Sequence, residues 1–272
     1  MKKNINVTEL QEVSETLLLT VYLRNLETLR KNRIIKDYKS VEIVNSINYN
    51  FSQRNSQYAS KLNQAVISIR TEIIDEFVKK FINQHPHATI VNLGTGLCTR
   101  FFRIDNGSIN WFGIDLPRVK PVWNKLIGES ERYHYLAYSI LDFDWIEKIR
   151  ETASEKILFI AEGILMYFTE TEVKQLMSAV KDNFPDSELI FDSLGVFLVN
   201  NSQINSCVSK INVSYKWGIE NLKEIETWDQ GIKLANQWYC FDRHKCRLGW
   251  IGLLSYIPML RRQIKIGHIQ FT

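Results

Sequence analysis

Apolar residues recur at intervals of three to four along much of the first 86 positions, and then the pattern changes. Leu17, Leu18, Val21, Tyr22, Leu26 and Leu29 fall on one stripe of a helix. Thr8-x-x-Gln11 has capping-box spacing just upstream. A second helical segment is expected near 40–47, and a long third one over about 57–83. The third carries Leu62, Val66, Ile69, Ile73, Phe77, Val78 and Phe81 on one side, and Pro86 ends it.

Beyond Pro86 short continuous apolar runs alternate with helical stretches. The runs are "TIVNL" (89–93), "INWFGID" (109–115), "YHYLAYS" (133–139), "KILFIAE" (156–162), "ELIFD" (188–192) and "KIGHIQF" (265–271). The clearest intervening helix covers 170–184. Thr169-x-x-Glu172 opens it, Val173, Leu176, Met177 and Val180 stripe it, and Pro185 stops it. Continuous apolar strands alternating with helices predict an α/β fold whose mostly parallel sheet is covered on both faces. Ligands of such sheets bind beyond the C-terminal ends of the strands.

Those ends carry chemistry. The first strand runs into Gly94-Thr95-Gly96, a turn that lets backbone approach a ligand closely. The second ends in Asp115, twenty-one residues after Gly94, where a carboxylate can accept from both hydroxyls of a ribose. Asp142 follows the third, within reach of an adenine amino group; Glu162 ends the fourth and Asp192 the fifth. A dinucleotide site would need a third glycine, and Thr99 stands in that place. Acids at successive strand ends after Gly-x-Gly point to S-adenosylmethionine (SAM).

Composition removes other classes. Of 272 residues, 45% are hydrophobic and 24% charged, ordinary for a globular domain. The net charge of +4 is interspersed with acids rather than massed in a stripe, so no nucleic-acid partner is expected. "MKKNINVTEL" is too polar for an export signal, which predicts a cytoplasmic protein whose Cys98, Cys207, Cys240 and Cys246 stay reduced. "CFDRHKC" (240–246) offers Cys240, His244 and Cys246 without a fourth ligand, so no metal is expected. The most apolar stretch, "LGWIGLLSYIPML" (248–260), is too short to span a bilayer. It is expected to be core or pocket wall, with no membrane partner. Trp217, Trp228, Trp238 and Trp250 are expected in helix core.

"VNLGTGLCTRFFR" (91–103), "INWFGIDLP" (109–117), "SILDFDW" (139–145) and "AEGILMYF" (161–168) occur in an order and spacing that resemble the leucine carboxyl methyltransferase superfamily. The likeness is greatest to its bacterial O-methyltransferase branch, of the tetracenomycin polyketide type. "TLLLTVYLRNLETLRKNRIIKD" (16–37), "SIRTEIID" (68–75) and "FPDSELIFD" (184–192) fit the same pattern. The resemblance implies a class I SAM-dependent methyltransferase fold: Rossmann-like, with a mostly parallel seven-stranded sheet, an N-terminal helical cap and a helical insertion. It implies one domain, divided into a cap (1–86), a SAM-binding core (87–192), a helical substrate or lid region (193–255) and a C-terminal strand region (256–272). By the same resemblance Gly94 and Gly96 approach the methionine part of SAM, Asp115 holds the ribose, and Asp142 with Phe143 holds the adenine. Glu162 closes the pocket, Arg70 pairs with the SAM carboxylate, and Arg24 is a second cation. The chain departs from the family at Cys98, where an aspartate is usual in a "GLDTR"-like turn.

The expected activity is SAM-dependent O-methylation of a small molecule, such as a polyketide-type metabolite. A carboxylate acceptor is favoured because it is ionised at neutral pH and needs no base. Arg100, Arg103 and Arg243 are candidate cations for it, and Tyr167 a candidate pocket wall. A phenolic hydroxyl, with His244 or Tyr167 assisting, is the alternative. Methylation of a protein C-terminus and SAM binding without catalysis stay open. The sequence assigns no catalytic residue and no oligomeric state.

Overall fold

The computed structural model describes residues 15–51, 59–201 and 214–272. The Thr8-x-x-Gln11 spacing and Cys207 lie outside them. Among the described residues, the helices α1 (Glu15–Thr28), α2 (Tyr38–Ser46) and α3 (Lys61–Gln84) precede the sheet. Each start has a local cause where the cap is described. Asp37 Oδ1 accepts from Ser40 N at 3.1 Å to open α2, and Ser60 Oγ accepts from Asn63 N at 3.1 Å to open α3. The α3 helix stops at Gln84, two residues before Pro86, as the restriction on the pre-proline residue requires.

Seven strands follow: β1 (Thr89–Leu93), β2 (Asn110–Asp115), β3 (Tyr133–Ala137), β4 (Ile157–Ala161), β5 (Glu188–Leu194), β6 (Ile232–Tyr239) and β7 (Ile264–Phe271). They form one sheet in the order β3-β2-β1-β4-β5-β7-β6. The first five pair in parallel, whereas β7 runs antiparallel to both β5 and β6. Six strands lie where the apolar runs predict them. The exception corrects the expectation of an all-helical segment over 193–255. "IKLANQWY" forms strand β6, which among the described residues pairs only with β7, at the edge of the sheet, and is irregular between Leu234 and Asn236. An edge strand with half of its side chains exposed and only Ile232 buried needs no apolar run, so its pattern is silent. The tryptophans are likewise not helix core: Trp238 lies in β6, Trp217 is buried in irregular chain, and Trp250 is 72% exposed.

Alternate strand residues face two cores. Val91, Phe112, Phe159 and Leu189 pack on one side with α6 (Trp145–Arg150, after the short α4, Phe101–Ile104, and α5, Lys120–Leu126) and α7 (Glu170–Asn183). Ile90, Trp111, Leu158 and Ile190 pack on the other with the apolar stripe of α3. Both β1 and β4 are buried throughout, which is why they read as unbroken apolar runs. The capping box at α7 is complete: Glu172 N donates to Thr169 Oγ1 at 3.3 Å, and Thr169 N donates to Glu172 Oε2 at 2.7 Å. Thr169→Ala is expected to cost about 1 kcal/mol, typical of a lost N-cap. A lower urea midpoint with unchanged slope would register it.

The strand order reverses direction between β1 and β4. That switch point opens a crevice at their C-terminal ends, the general ligand position of open α/β sheets. Leu18 and Val21 of α1 and Ile43 of α2 pack with Leu97 and Val122, so the N-terminal helices lie against the turn that follows β1.

Candidate active site

A cavity of about 840 Å³ occupies the crevice, bounded by α1, α3 and the ends of β1, β2, β4 and β5. Gly94 and Gly96 hold φ of 66° and 46°, the left-handed region that glycine enters without strain. A Cβ on Gly94 would lie 2.7 Å from Ile164 Cγ1, and one on Gly96 would strike Leu17 Cδ2. Gly94 is therefore required both for conformation and for space, and Gly96 chiefly for conformation, since the Leu17 methyl can shift. Asp115 closes it from β2: Oδ2 accepts from Gly96 N at 2.7 Å and Oδ1 from Leu116 N at 2.8 Å. Each oxygen keeps a further lone pair. Burial raises the Asp115 pKa, opposed by those two N–H groups.

Below the cavity runs an unbroken line of alternating charges: Arg24, Asp37, Arg103, Asp75, Arg100, Glu162, Arg70, Asp192. Arg24 Nε lies 2.9 Å from Asp37 Oδ2, which is 3.0 Å from Arg103 Nη1. Arg103 Nε donates to Asp75 Oδ2 at 2.8 Å, and Arg100 Nε to Asp75 Oδ1 at 2.6 Å. Arg100 Nη2 reaches Glu162 Oε2 at 2.6 Å. Arg70 Nε donates to Glu162 Oε1 at 3.0 Å and Nη1 to Asp192 Oδ2 at 2.9 Å. None of these side chains is more than 11% exposed. The line joins α1, the N-cap of α2, α3, the turn after β1, and the ends of β4 and β5. Its four cations balance its four anions, which makes burial tolerable.

The carboxylates in this line differ. Burial pushes the Glu162 carboxyl up, but the Arg100 and Arg70 guanidinium charges and hydrogen bonds outweigh it and hold it well below the ordinary range. Asp192 is raised, because burial outweighs the charge of Arg70 and the hydrogen bond from Gly163 N.

A family model described as leucine carboxyl methyltransferase matches residues 18–181. The chain belongs to the leucine carboxyl methyltransferase family. Among its relatives is the tetracenomycin polyketide synthesis O-methyltransferase TcmP of Streptomyces glaucescens. It is 26% identical over 256 residues, covering 92% of this chain and 93% of that one. The S-adenosyl-L-methionine-dependent methyltransferase dpfgK of Gibberella zeae is 25% identical over 260 residues, covering 89% and 86%. Among solved structures, a DUF574 family protein from Streptomyces avermitilis superposes with a TM-score of 0.63 over 97% of this chain and all of that one, at 11% identity. A SAM-dependent methyltransferase from Anabaena variabilis gives 0.52 over 83% and 96%, at 10% identity. At such identities the structures speak for the fold alone, which is the class I SAM-dependent methyltransferase fold.

Membership makes this leucine carboxyl methyltransferase relative a SAM-dependent methyltransferase. The residues of the crevice fit that cofactor. Gly94 borders the cavity with no side chain of its own, and the partly buried Asp115 carboxylate, with spare lone pairs, borders it too. Arg24 Nη1 and Arg70 Nη2 make no hydrogen bond among the described residues.

Arg24, Arg70, Gly94, Asp115, Glu162 and Tyr167 all border the cavity, whereas Gly96, packed against Leu17, does not. Other expected residues do not reach it. Arg103 is not a pocket cation: it is buried between Asp75 and Asp37, because those acids need its charge. His244 is on the outer side of α3, its Nε2 2.9 Å from Glu72 Oε2, and Arg243 beside it pairs with Glu76 at 2.7 Å. Asp142 is exposed with Oδ2 accepting from Ser139 N, and neither it nor Phe143 borders the cavity. Sequence reasoning left Asp37 and Asp75 without a role, offered Arg100 as a cation for the acceptor, and omitted Asp192 from the site. Asp75 did carry a signal, since it interrupts the buried stripe directly after Ile73 and Ile74. The partner that Arg100 finds, with Cys98 beside it, is the Asp75–Glu162 pair; Cys98 Sγ is 3.7 Å from Arg100 Nη1.

Proposed function

We propose that the chain transfers the methyl group of SAM to a carboxylate on a small, largely apolar molecule, giving a methyl ester. The carrying observation is the state of the ionisable groups around the cavity. No histidine or lysine borders it among the described residues, and both oxygens of Glu162 and of Asp192 already accept from arginine, threonine or backbone N–H. Such groups are poor bases for a hydroxyl acceptor, which has a proton to lose. A carboxylate, with a pKa of about 4, has already lost it.

SAM supplies a methyl group on a positively charged sulfur that needs no further activation. The protein's part is then to position the acceptor and exclude water. Gly94 and Gly96 would bring backbone against the methionine part and Asp115 would accept from the ribose hydroxyls. Arg70, with Arg24, would meet the amino-acid carboxylate, and Glu162 would keep Arg70 aimed. An adenine role for Asp142 and Phe143 rests on the family pattern alone. Acceptor orientation does not fall to Arg100, Arg103 or Arg243, which are committed elsewhere. It falls to neutral groups such as Asn63, Asn201, Tyr167 and Tyr215, together with Arg118 and whichever of Arg24 and Arg70 the cofactor leaves open. Leu62, Val66, Ile67, Phe241 and Ile251 supply an apolar wall suited to a flat or lipophilic acceptor. The helical cap over 1–86 and the segment 193–255 both contribute to that wall, which supports reading them as parts of one domain. The polyketide pathway named for TcmP supports a small molecule rather than a protein terminus.

Methyl-labelled SAM, incubated with the protein and fractionated small acids, is expected to yield a product that releases labelled methanol in mild alkali. An alkali-stable label would sink the ester while leaving methyl transfer standing.

A further inference from the structure

Exposed large apolar side chains are not scattered over this protein. Of the ten among the described residues, Trp250, Leu253, Tyr256, Ile257 and Met259 lie within one ten-residue stretch, and Val196 and Phe197 make seven. The two groups adjoin: Gln263 Oε1 accepts from Leu198 N at 3.2 Å, and Gln263 Nε2 donates to Met259 O at 2.8 Å. Phe197 is 46% exposed and also borders the cavity, so the patch reaches the cavity mouth. A contiguous apolar patch beside a binding cleft marks an interaction surface rather than chance exposure.

The flanking charge is one-sided. Residues 243–265 contain Arg243, Lys245, Arg247, Arg261, Arg262 and Lys265 and no aspartate or glutamate. Arg243, Arg247 and Arg261 are answered by acids from other segments, and Lys265 is buried. Lys245 and Arg262 make no ion pair among the described residues, and Lys245 Nζ stands 4.2 Å from the Tyr256 ring centroid.

We propose that this rim docks the protein on an anionic lipid surface, with the cavity mouth facing the bilayer. Exposed Trp and Tyr with Leu, Ile and Met between cations is the chemistry of interfacial membrane binding. Trp and Tyr in particular settle at headgroup level, and cations add attraction to anionic lipid. A second copy of the chain is a poorer occupant. A two-fold contact would set Lys245 and Arg262 against their own kind with no acid in the segment to answer them. No helix of the described residues is long and apolar enough to cross a membrane, so the association is peripheral. The proposal replaces the expectation of no membrane partner, and it gives a lipophilic acceptor a route into the cavity directly from the lipid.

The test is co-sedimentation of the whole protein with vesicles, without cofactor or acceptor, so that failure of the ester assignment cannot affect it. Binding is expected to vesicles with about 30% phosphatidylglycerol, weakly if at all to phosphatidylcholine alone, and to fall with added salt. Trp250→Ser with Tyr256→Ser, both changes of largely exposed side chains, is expected to reduce partitioning at least ~tenfold with unchanged circular dichroism. Lys245→Glu with Arg262→Glu is expected to do the same on anionic vesicles only. Absence of binding, equal binding by the variants, or a concentration-dependent dimer that the Trp250 and Tyr256 changes abolish would each overturn the proposal.

Discussion

Glu162→Gln is expected to lower the unfolding free energy by about 3–5 kcal/mol at neutral pH, the usual result of removing one partner from a buried ion pair. The substitution keeps the volume and one acceptor but leaves four buried cations facing three anions. Arg100, fully buried, keeps only Asp75 as a charged partner, and Arg70 keeps only Asp192. Urea unfolding read by circular dichroism would measure the loss. Replacing Arg100 and Glu162 together by methionine should cost less than the sum of the single changes, because the charges leave as a pair and Asp75 retains Arg103. The pH dependence follows from the depressed carboxyl. Glu162 contributes its full stabilisation above the ordinary glutamate value of 4.5, and loses it only as pH falls through its lower folded value. The gap between wild type and variant should therefore persist through mildly acidic pH and close only in strong acid. A deficit under about 1 kcal/mol at pH 7 would mean that the charges are solvated rather than buried.

Asp115→Ala is expected to weaken SAM binding more than ~tenfold, since a hydrogen bond to a charged acceptor is worth about 1.5–3 kcal/mol and water recovers part of it. Loss of the carboxylate also frees Gly96 N and Leu116 N, which loosens the turn that the glycines shape. Stability should suffer less than in the Glu162 variant. The Asp115 pKa is raised by burial, so its ionised form opposes folding as pH rises past the folded value, and alanine relieves that cost. Calorimetric titration with SAM and with S-adenosylhomocysteine measures the affinity. Unchanged binding by a folded variant would remove Asp115 from the ribose role.

Much of this protein is legible without coordinates, and the reason is local. The β1 and β4 strands are buried on both faces, so their apolar runs admit little else; the Thr169 capping box and Pro86 mark helix boundaries through bonds made within four residues. Gly94, Gly96 and Asp115 could be found because a strand end and a tight turn leave fixed residue types at fixed spacing. What the sequence by itself determined is thus the α/β layering, the strand ends that carry chemistry, and the cofactor they suit. It could not show β6, whose exposed edge places few demands on its side chains. It placed Arg103 and His244 near substrate because both sit beside informative motifs. Only the tertiary structure decided that Arg103 neutralises Asp37 and Asp75, that His244 faces outward to Glu72, and that "LGWIGLLSYIPML" gives Leu248 to the core and Ile251 to the cavity wall while exposing Trp250, Leu253, Tyr256, Ile257 and Met259. The alternating charges from Arg24 to Asp192 come from six places spread over nearly 170 residues, so no window of sequence holds them. Which cation answers which anion is settled only when folding removes water and forces every buried charge to find a partner.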